Sequence, residues 1–151
     1  MAKQSMQLDN ETQVRNFLED ALDALRTKNA AKAVAMYAPG KVQFLLAPPL
    51  QFAGANEMTR EKVQEWFDTF EGDLEYEAKD LMITAGEDIA YAHCLVRMAG
   101  KYAENSKPFE MWLRETICLR KQGGEWKIAH YHESVPFYMD GNNKAAVDLK
   151  P

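Results

Sequence analysis

Apolar residues recur at helical spacing in the first part of this chain and at every second position in the last part. Val14, Phe17, Leu18, Ala21, Leu22 and Leu25 form one helical stripe, with Asp9 or Asn10 available as N-cap. A short second helix is expected over residues 30–37, stopped by Pro39-Gly40. A strand then covers residues 42–46 and ends at Pro48-Pro49. Thr59 can cap a third helix in which Val63, Trp66, Phe67 and Phe70 share a face, with Gly72 just past its end. Residues 74–84, 88–98, 109–120 and 126–135 read as four strands. The breakers between them are Gly86-Glu87, the polar loop 104–108 and Gly123-Gly124. Helices followed by a meander of strands make an α+β plan in one domain, with a core at about residues 10–138 and a loose tail over 142–151.

The last hairpin carries the most chemistry. On the first of its strands Met111, Leu113, Glu115, Ile117 and Leu119 share one face, and Trp112, Arg114, Thr116, Cys118 and Arg120 the other. Glycine accepts the positive φ of primed turns, so Gly123-Gly124 is expected to be a two-residue loop pairing Gln122 with Glu125. Unbroken pairing from there sets Cys118 opposite Ala129, Thr116 opposite Tyr131 and Arg114 opposite Glu133. One face then joins Arg114 to Glu133, flanked by Trp112, Thr116 and Tyr131. The other joins Ile117, Leu119, Trp126, Ile128, His130 and His132, with Glu115 opposite His132. Both faces hold too much hydrocarbon for water, so helices should cover one and a partner subunit the other.

Composition narrows the function classes. The chain has 151 residues and a formal net charge of −5, with its acidic residues scattered and no basic cluster to mark a nucleic-acid footprint. No apolar run reaches spanning length, and the opening residues lack the apolar core of a signal peptide, so a cytoplasmic protein is expected. Cys94 and Cys118 lie in strand-like segments away from any metal-type spacing, as reduced core thiols would. No cofactor is called for.

The element order, the Arg114-x-Thr116 and Leu119-Arg120-Lys121 segments, and the run W-x-I-x-H-x-H-x-S-V-P at 126–136 resemble the SnoaL-like family. That family belongs to the nuclear transport factor 2-like superfamily, which also holds ketosteroid isomerases and the association domain of calcium/calmodulin-dependent kinase II. The resemblance implies a cone: a curved antiparallel sheet wrapped around three N-terminal helices, with a pocket at the wide end and assembly into dimers or larger oligomers. It implies no single chemistry, because members isomerise, cyclise, dehydrate, bind or assemble. In the isomerase branch the base, the helix-one tyrosine and the strand aspartate would fall near Ala47, Ala21 and Thr116. None of these residues can do that work, so steroid isomerisation by that route is not expected.

The candidate ligand-binding residues are Tyr37, Trp66, Trp112, Arg114, Thr116, Tyr131 and Glu133; the resemblance places Thr116 and Glu133 on the cavity wall. Arg114 can hold a carboxylate by a bidentate bond, with Glu133 or Tyr131 as acid or base. It can equally be half of a structural cross-strand ion pair. His130 and His132 form an H-x-H pair without a clearly placed third ligand, because the facing of His93 is open, and no metal is assigned. Three function classes remain open. The chain can be a pocket protein for a small organic acid or partly apolar metabolite, an isomerase, cyclase or dehydratase, or an oligomerisation module.

Overall fold

In the computed structural model, which describes residues 1–54 and 57–151, three helices lie against one curved six-stranded sheet. Helices α1 (Ala2–Arg26) and α2 (Ala30–Ala35) precede strands β1 (Tyr37–Phe44) and β2 (Phe52–Ala53). Helix α3 (Arg60–Asp68) follows, and then the long strands β3 (Phe70–Ala85), β4 (Ile89–Tyr102), β5 (Pro108–Gln122) and β6 (Glu125–Ser134). The strand order is β2-β1-β6-β5-β4-β3. The α+β cone architecture is the expected one, with one difference in the sheet. It is mixed rather than wholly antiparallel, because β1 runs parallel to β6. A parallel neighbour requires a long crossover, and here everything from β2 to β5 supplies it. Among the described residues no helix is long and apolar enough to cross a membrane.

Helix boundaries follow local chemistry where a cap decides them. The Asn29 side chain accepts from the Lys32 amide and starts α2; the Thr59 hydroxyl accepts from the Lys62 amide and starts α3. Helix α1 departs from expectation. It begins at Ala2, and Asn10 is not a cap but a buried mid-helix residue, 3% exposed. Its amide donates to Gly86 O at 2.8 Å and accepts from Lys121 Nζ at 3.2 Å, tying the helix to the sheet. Helix α1 ends with Lys28 in the left-handed region, φ 52°, while its ammonium donates to Phe70 O at 2.8 Å. Gly72 does not terminate α3. It lies within β3 with φ 66°, at the irregularity between Glu71 and Glu75 where the strand bends.

Two apolar clusters fill the space between helices and sheet. Val14 and Leu18 of α1 pack on Ala92, Ile117, Leu119, Trp126 and Ile128; Val63 and Phe67 of α3 pack on Phe70, Leu74, Tyr76, Val96 and Met98. The alternation expected along β5 is present: Leu113, Glu115, Ile117 and Leu119 are buried, and Arg114, Thr116 and Arg120 exposed. The chain end is docked rather than loose. Phe137 bridges Ala145, Ala146 is 2% exposed, and Tyr138 Oη donates to Asp148.

Replacing Asn10 with Ala removes two partners from groups at the helix–sheet contact, an effect on the order of 1–3 kcal/mol. We expect Asn10→Ala to lower the denaturant midpoint accordingly, while Asp9→Ala stays within about 0.5 kcal/mol. Equal effects of the two changes would mean that this residue works as a cap after all.

Candidate active site

The hairpin starts in the expected register, Gln122 opposite Glu125, and then departs from it. Leu119 pairs with Ile128, but Cys118 pairs with His130, so Ala129 is an extra residue bulged out of β6. Because side chains alternate with period two, one inserted residue moves every later side chain to the opposite face. Trp126 and Ile128 keep their expected face. Beyond the bulge, Tyr131 and Glu133 turn inward to join Glu115 and Ile117, while His130 and His132 turn outward.

The expected facing of Arg114 and Glu133 is therefore absent. Arg114 pairs with Ser134 on the exposed face and donates to its hydroxyl at 3.1 Å. Thr116 is exposed between His93 and His132, and Trp112 lies on the same outer face beside the docked C-terminal residues 147–150. Trp66 packs edge-on against Phe70 at 5.3 Å and is 36% exposed. Of the seven candidate residues, Tyr37, Tyr131 and Glu133 are brought together with one another.

The partner Glu133 does face is Glu115, directly across the ladder. Glu115 is 6% exposed. The Tyr131 hydroxyl lies between the two carboxyls, donating to Glu115 Oε1 at 2.5 Å with a second contact to Glu133 Oε2 at 3.3 Å. The Leu46 amide donates to Glu133 Oε1 at 3.0 Å. Strand β1 brings Gln43 into register with Tyr131, and Tyr37 stands near both carboxylates, as does Tyr76 from β3. Tyr37, Tyr131 and Glu133 are half-buried.

Electrostatics follow from this burial. Desolvation, reinforced by the charge of Glu133 and opposed by the Tyr131 hydrogen bond, raises the Glu115 carboxyl to about 7. Glu133 is also raised by burial, against the bonds from Leu46 and Tyr131 that favour its charge. Burial first, and then the two carboxylates, push the phenols of Tyr37, Tyr76 and Tyr131 upward, so all three stay protonated donors. Cys94, opposite Glu115 on β4, is pushed up to about 12 by burial and by that carboxylate. It is an inert thiol on the inner face, whereas Cys118 faces outward. The cation on the inner side of β1 is Lys41, 4% exposed, with its ammonium 5.4 Å from the Tyr37 ring centroid and its pKa lowered by burial.

Sequence reasoning missed Glu115 because it assigned that residue to the histidine face. The signal was the spacing of bulky residues on β6: Trp126, Ile128 and then Tyr131 break strict alternation at Ala129. His130 instead uses Nδ1 at 2.7 Å from Val42 O, and both histidines pack edge-on against Phe44. Among the described residues no three His, Cys, Asp or Glu side chains converge as metal ligands. An open groove of about 690 Å³ lies elsewhere, around Arg97. Arg97 there binds Glu75 and Glu110 at 2.7 Å each. The buried carboxyl pair has no ion-pair partner among the described residues.

Comparison with known proteins agrees with the architecture. A model of the SnoaL-like domain matches residues 14–138. The solved structure of an NTF2-like protein of unknown function from Pseudomonas putida KT2440 is 31% identical, with 93% of this chain and 96% of that chain covered and a TM-score of 0.81. A ketosteroid isomerase-like protein from Erwinia carotovora is 21% identical over 83% of this chain and 95% of that one, TM-score 0.70. A nuclear transport factor 2 (NTF2-like) superfamily protein from Salmonella enterica is 12% identical over 90% and 97%, TM-score 0.76. At such identities the latter two speak for the fold alone. No curated protein matches the sequence.

An acid whose pKa is raised in the folded state stabilises the fold while protonated and loses that contribution as it ionises. For Glu115 the contribution is full below its ordinary 4.5 and fades as pH rises through about 7. A displacement of that size corresponds to on the order of 3 kcal/mol. Unfolding free energy should fall across that window in the wild type, and Glu115→Gln should flatten the profile; an unchanged slope would show that Glu115 does not hold the proton. Arg114→Leu, by contrast, should alter stability by no more than about 0.5 kcal/mol.

Proposed function

The chain belongs to the SnoaL-like family of the nuclear transport factor 2-like superfamily, and we propose that it is an acid–base pocket protein that moves a proton on a small, partly apolar molecule. The observation that carries this reading is the Glu115–Tyr131–Glu133 cluster: two carboxyls directly opposite with a phenol between them, Tyr131 and Glu133 being only half-buried. Glu133, which accepts the Leu46 amide, is the better stabilised as a carboxylate and serves as base. Glu115, deeper and raised to about 7, holds a proton near neutral pH.

The reaction class is proton abstraction beside a carbonyl, as isomerisation, dehydration and cyclisation each require. Glu133 removes the proton from carbon, and the electron pair moves onto the carbonyl oxygen. Tyr131 donates its one hydrogen bond to that oxygen once protonated Glu115 donates to the phenol oxygen in turn; a carboxyl kept neutral by its surroundings can back the phenol in this way. The proton then returns to a different carbon, or a β-hydroxyl leaves as water. Ala21 and Ala47 still lack the groups of the steroid isomerases. The acid expected near Thr116 is supplied one residue earlier, because the inner-facing position of β5 is Glu115. Tyr37, Tyr131 and Glu133 remain proposed ligand contacts. Trp112, Arg114 and Thr116, on the outer face, do not, and Trp66 lies at the margin. With Arg114 outside, an organic acid loses its proposed anchor.

We further propose a homodimer in the cytoplasm, formed through the outer sheet face. Met82, Ile89 and Tyr91 are 61%, 61% and 49% exposed there, an apolar area that a second copy would cover. Light scattering at micromolar concentration should return at least a dimer, and a monomer would count against this assembly.

The chemistry is tested by deuterium exchange. Small cyclic ketones that also carry a hydroxyl, such as 4-hydroxycyclohexanone and 6-hydroxy-2-tetralone, incubated with the protein in heavy water, should exchange their α-protons faster than in buffer. Glu133→Gln should reduce the excess rate by a factor on the order of 10² or more, the usual contribution of a positioned base. Exchange that is absent, or unaffected by Glu133→Gln, removes the acid–base reading.

A further inference from the structure

Gln43 is a buried side chain with one polar atom left over. It is 4% exposed, stands in register with Tyr131, and has its amide beside the Tyr37 hydroxyl. Its carbonyl Oε1 is fully enclosed and, among the described residues, is the only buried side-chain nitrogen or oxygen without a hydrogen-bond partner. An enclosed acceptor with no donor costs free energy that an apolar residue of similar size would avoid. A glutamine at this place makes sense when something brings a donor to it.

The neighbours restrict what that something is. Tyr131, in register with Gln43, bonds both carboxyls, so Glu115 and Glu133 add acceptor oxygens and negative charge beside the orphan acceptor of Gln43. Tyr37, Tyr76 and Tyr131 contribute ring surface and hydroxyls. Arg114 is on the other side of the sheet, and the Lys41 ammonium is engaged over the Tyr37 ring. An incoming carboxylate would face two carboxyls and an orphan carbonyl, an arrangement that repels it.

We infer that Gln43 is a specificity-determining residue that accepts a hydrogen bond from the ligand, so that the molecule taken by the proposed recess carries a hydroxyl or N–H donor and no negative charge. The inference rests on the reading of the recess as a small-molecule site, and it adds which chemical groups that site selects. A site built to pair with a donor rejects the analogue lacking it, because the enclosed acceptor then stays unpaired.

Four probes of one size separate the alternatives: phenol and benzylamine carry a donor, anisole does not, and benzoate carries the charge. Binding is followed near neutral pH by NMR, using the ring signals of Tyr131. In the wild type, phenol, benzylamine or both should bind roughly tenfold tighter than anisole, the ratio that one enclosed hydrogen bond supplies. Gln43→Met should abolish that preference by weakening the donor probes and leaving anisole unchanged, with an unfolding midpoint at or above the wild type. A preference for only one donor probe tells hydroxyl from amine and supports the inference equally. Equal binding of donor probes and anisole by the wild type, or a preference that survives Gln43→Met, overturns it while leaving the recess a binding site. Tightest binding by benzoate, lost in Lys41→Met, also overturns it and assigns the recess to anions. If no probe shifts Tyr131, the small-molecule reading fails together with this inference.

Discussion

Glu115 and Glu133 stand directly opposite one another on neighbouring strands, on the face of the sheet that the helices cover. Like charges in that position destabilise a sheet even in water, and more so where few water molecules reach. The pair is compatible with its surroundings only while it keeps a proton. Burial keeps the proton on the deeper carboxyl against the Tyr131 hydrogen bond, while the Leu46 amide favours charge on the shallower. The two apolar clusters beside the pair can pack against a neutral acid and a hydrogen-bonded carboxylate, but not against two bare charges. Shape and protonation are thus set together.

The geometry that creates this pair is a single inserted residue. Without the bulge at Ala129, Tyr131 and Glu133 would lie on the outer face beside Arg114, and the inner face would present His130 and His132 to the core. Both arrangements satisfy the hydrogen-bond ladder before the bulge equally well. What separates them is the packing of Phe44 against both histidines above the bulge. The bulge lets a strand keep an apolar inner face at one end and offer an acidic one at the other.

This explains which features could be read from sequence. Thr59 as a helix cap and Gly123-Gly124 as a turn were legible because a few adjacent residues determine them. The alternation along β5 was legible for the same reason. Asn10 was not, since its two partners lie 76 and 111 residues away and nothing local distinguishes a buried asparagine from a cap. Nor was the parallel pairing of β1 with β6, which depends on a contact across most of the chain. The register failed at Ala129 because a bulge conserves composition and turn chemistry while reversing every face beyond it. Tyr37, Tyr131 and Glu133, candidates by residue type, are brought together, while Glu115 was hidden by that reversal.

The site draws its groups from both ends of this long connection. Glu115, Tyr131 and Glu133 come from the C-terminal hairpin, whereas Tyr37, Gln43 and the Leu46 amide come from β1 and the turn that follows it. The parallel β1–β6 ladder holds the two sets in register, so these groups are not assembled until that crossover has closed. A molecule bound between Gln43 and Glu133 would bridge the ladder from side to side. Such a molecule binds the closed sheet and not the open chain, and by mass action it stabilises the β1–β6 seam itself. Recognition at Gln43 and closure of the fold at its longest-range contact are in that sense one equilibrium.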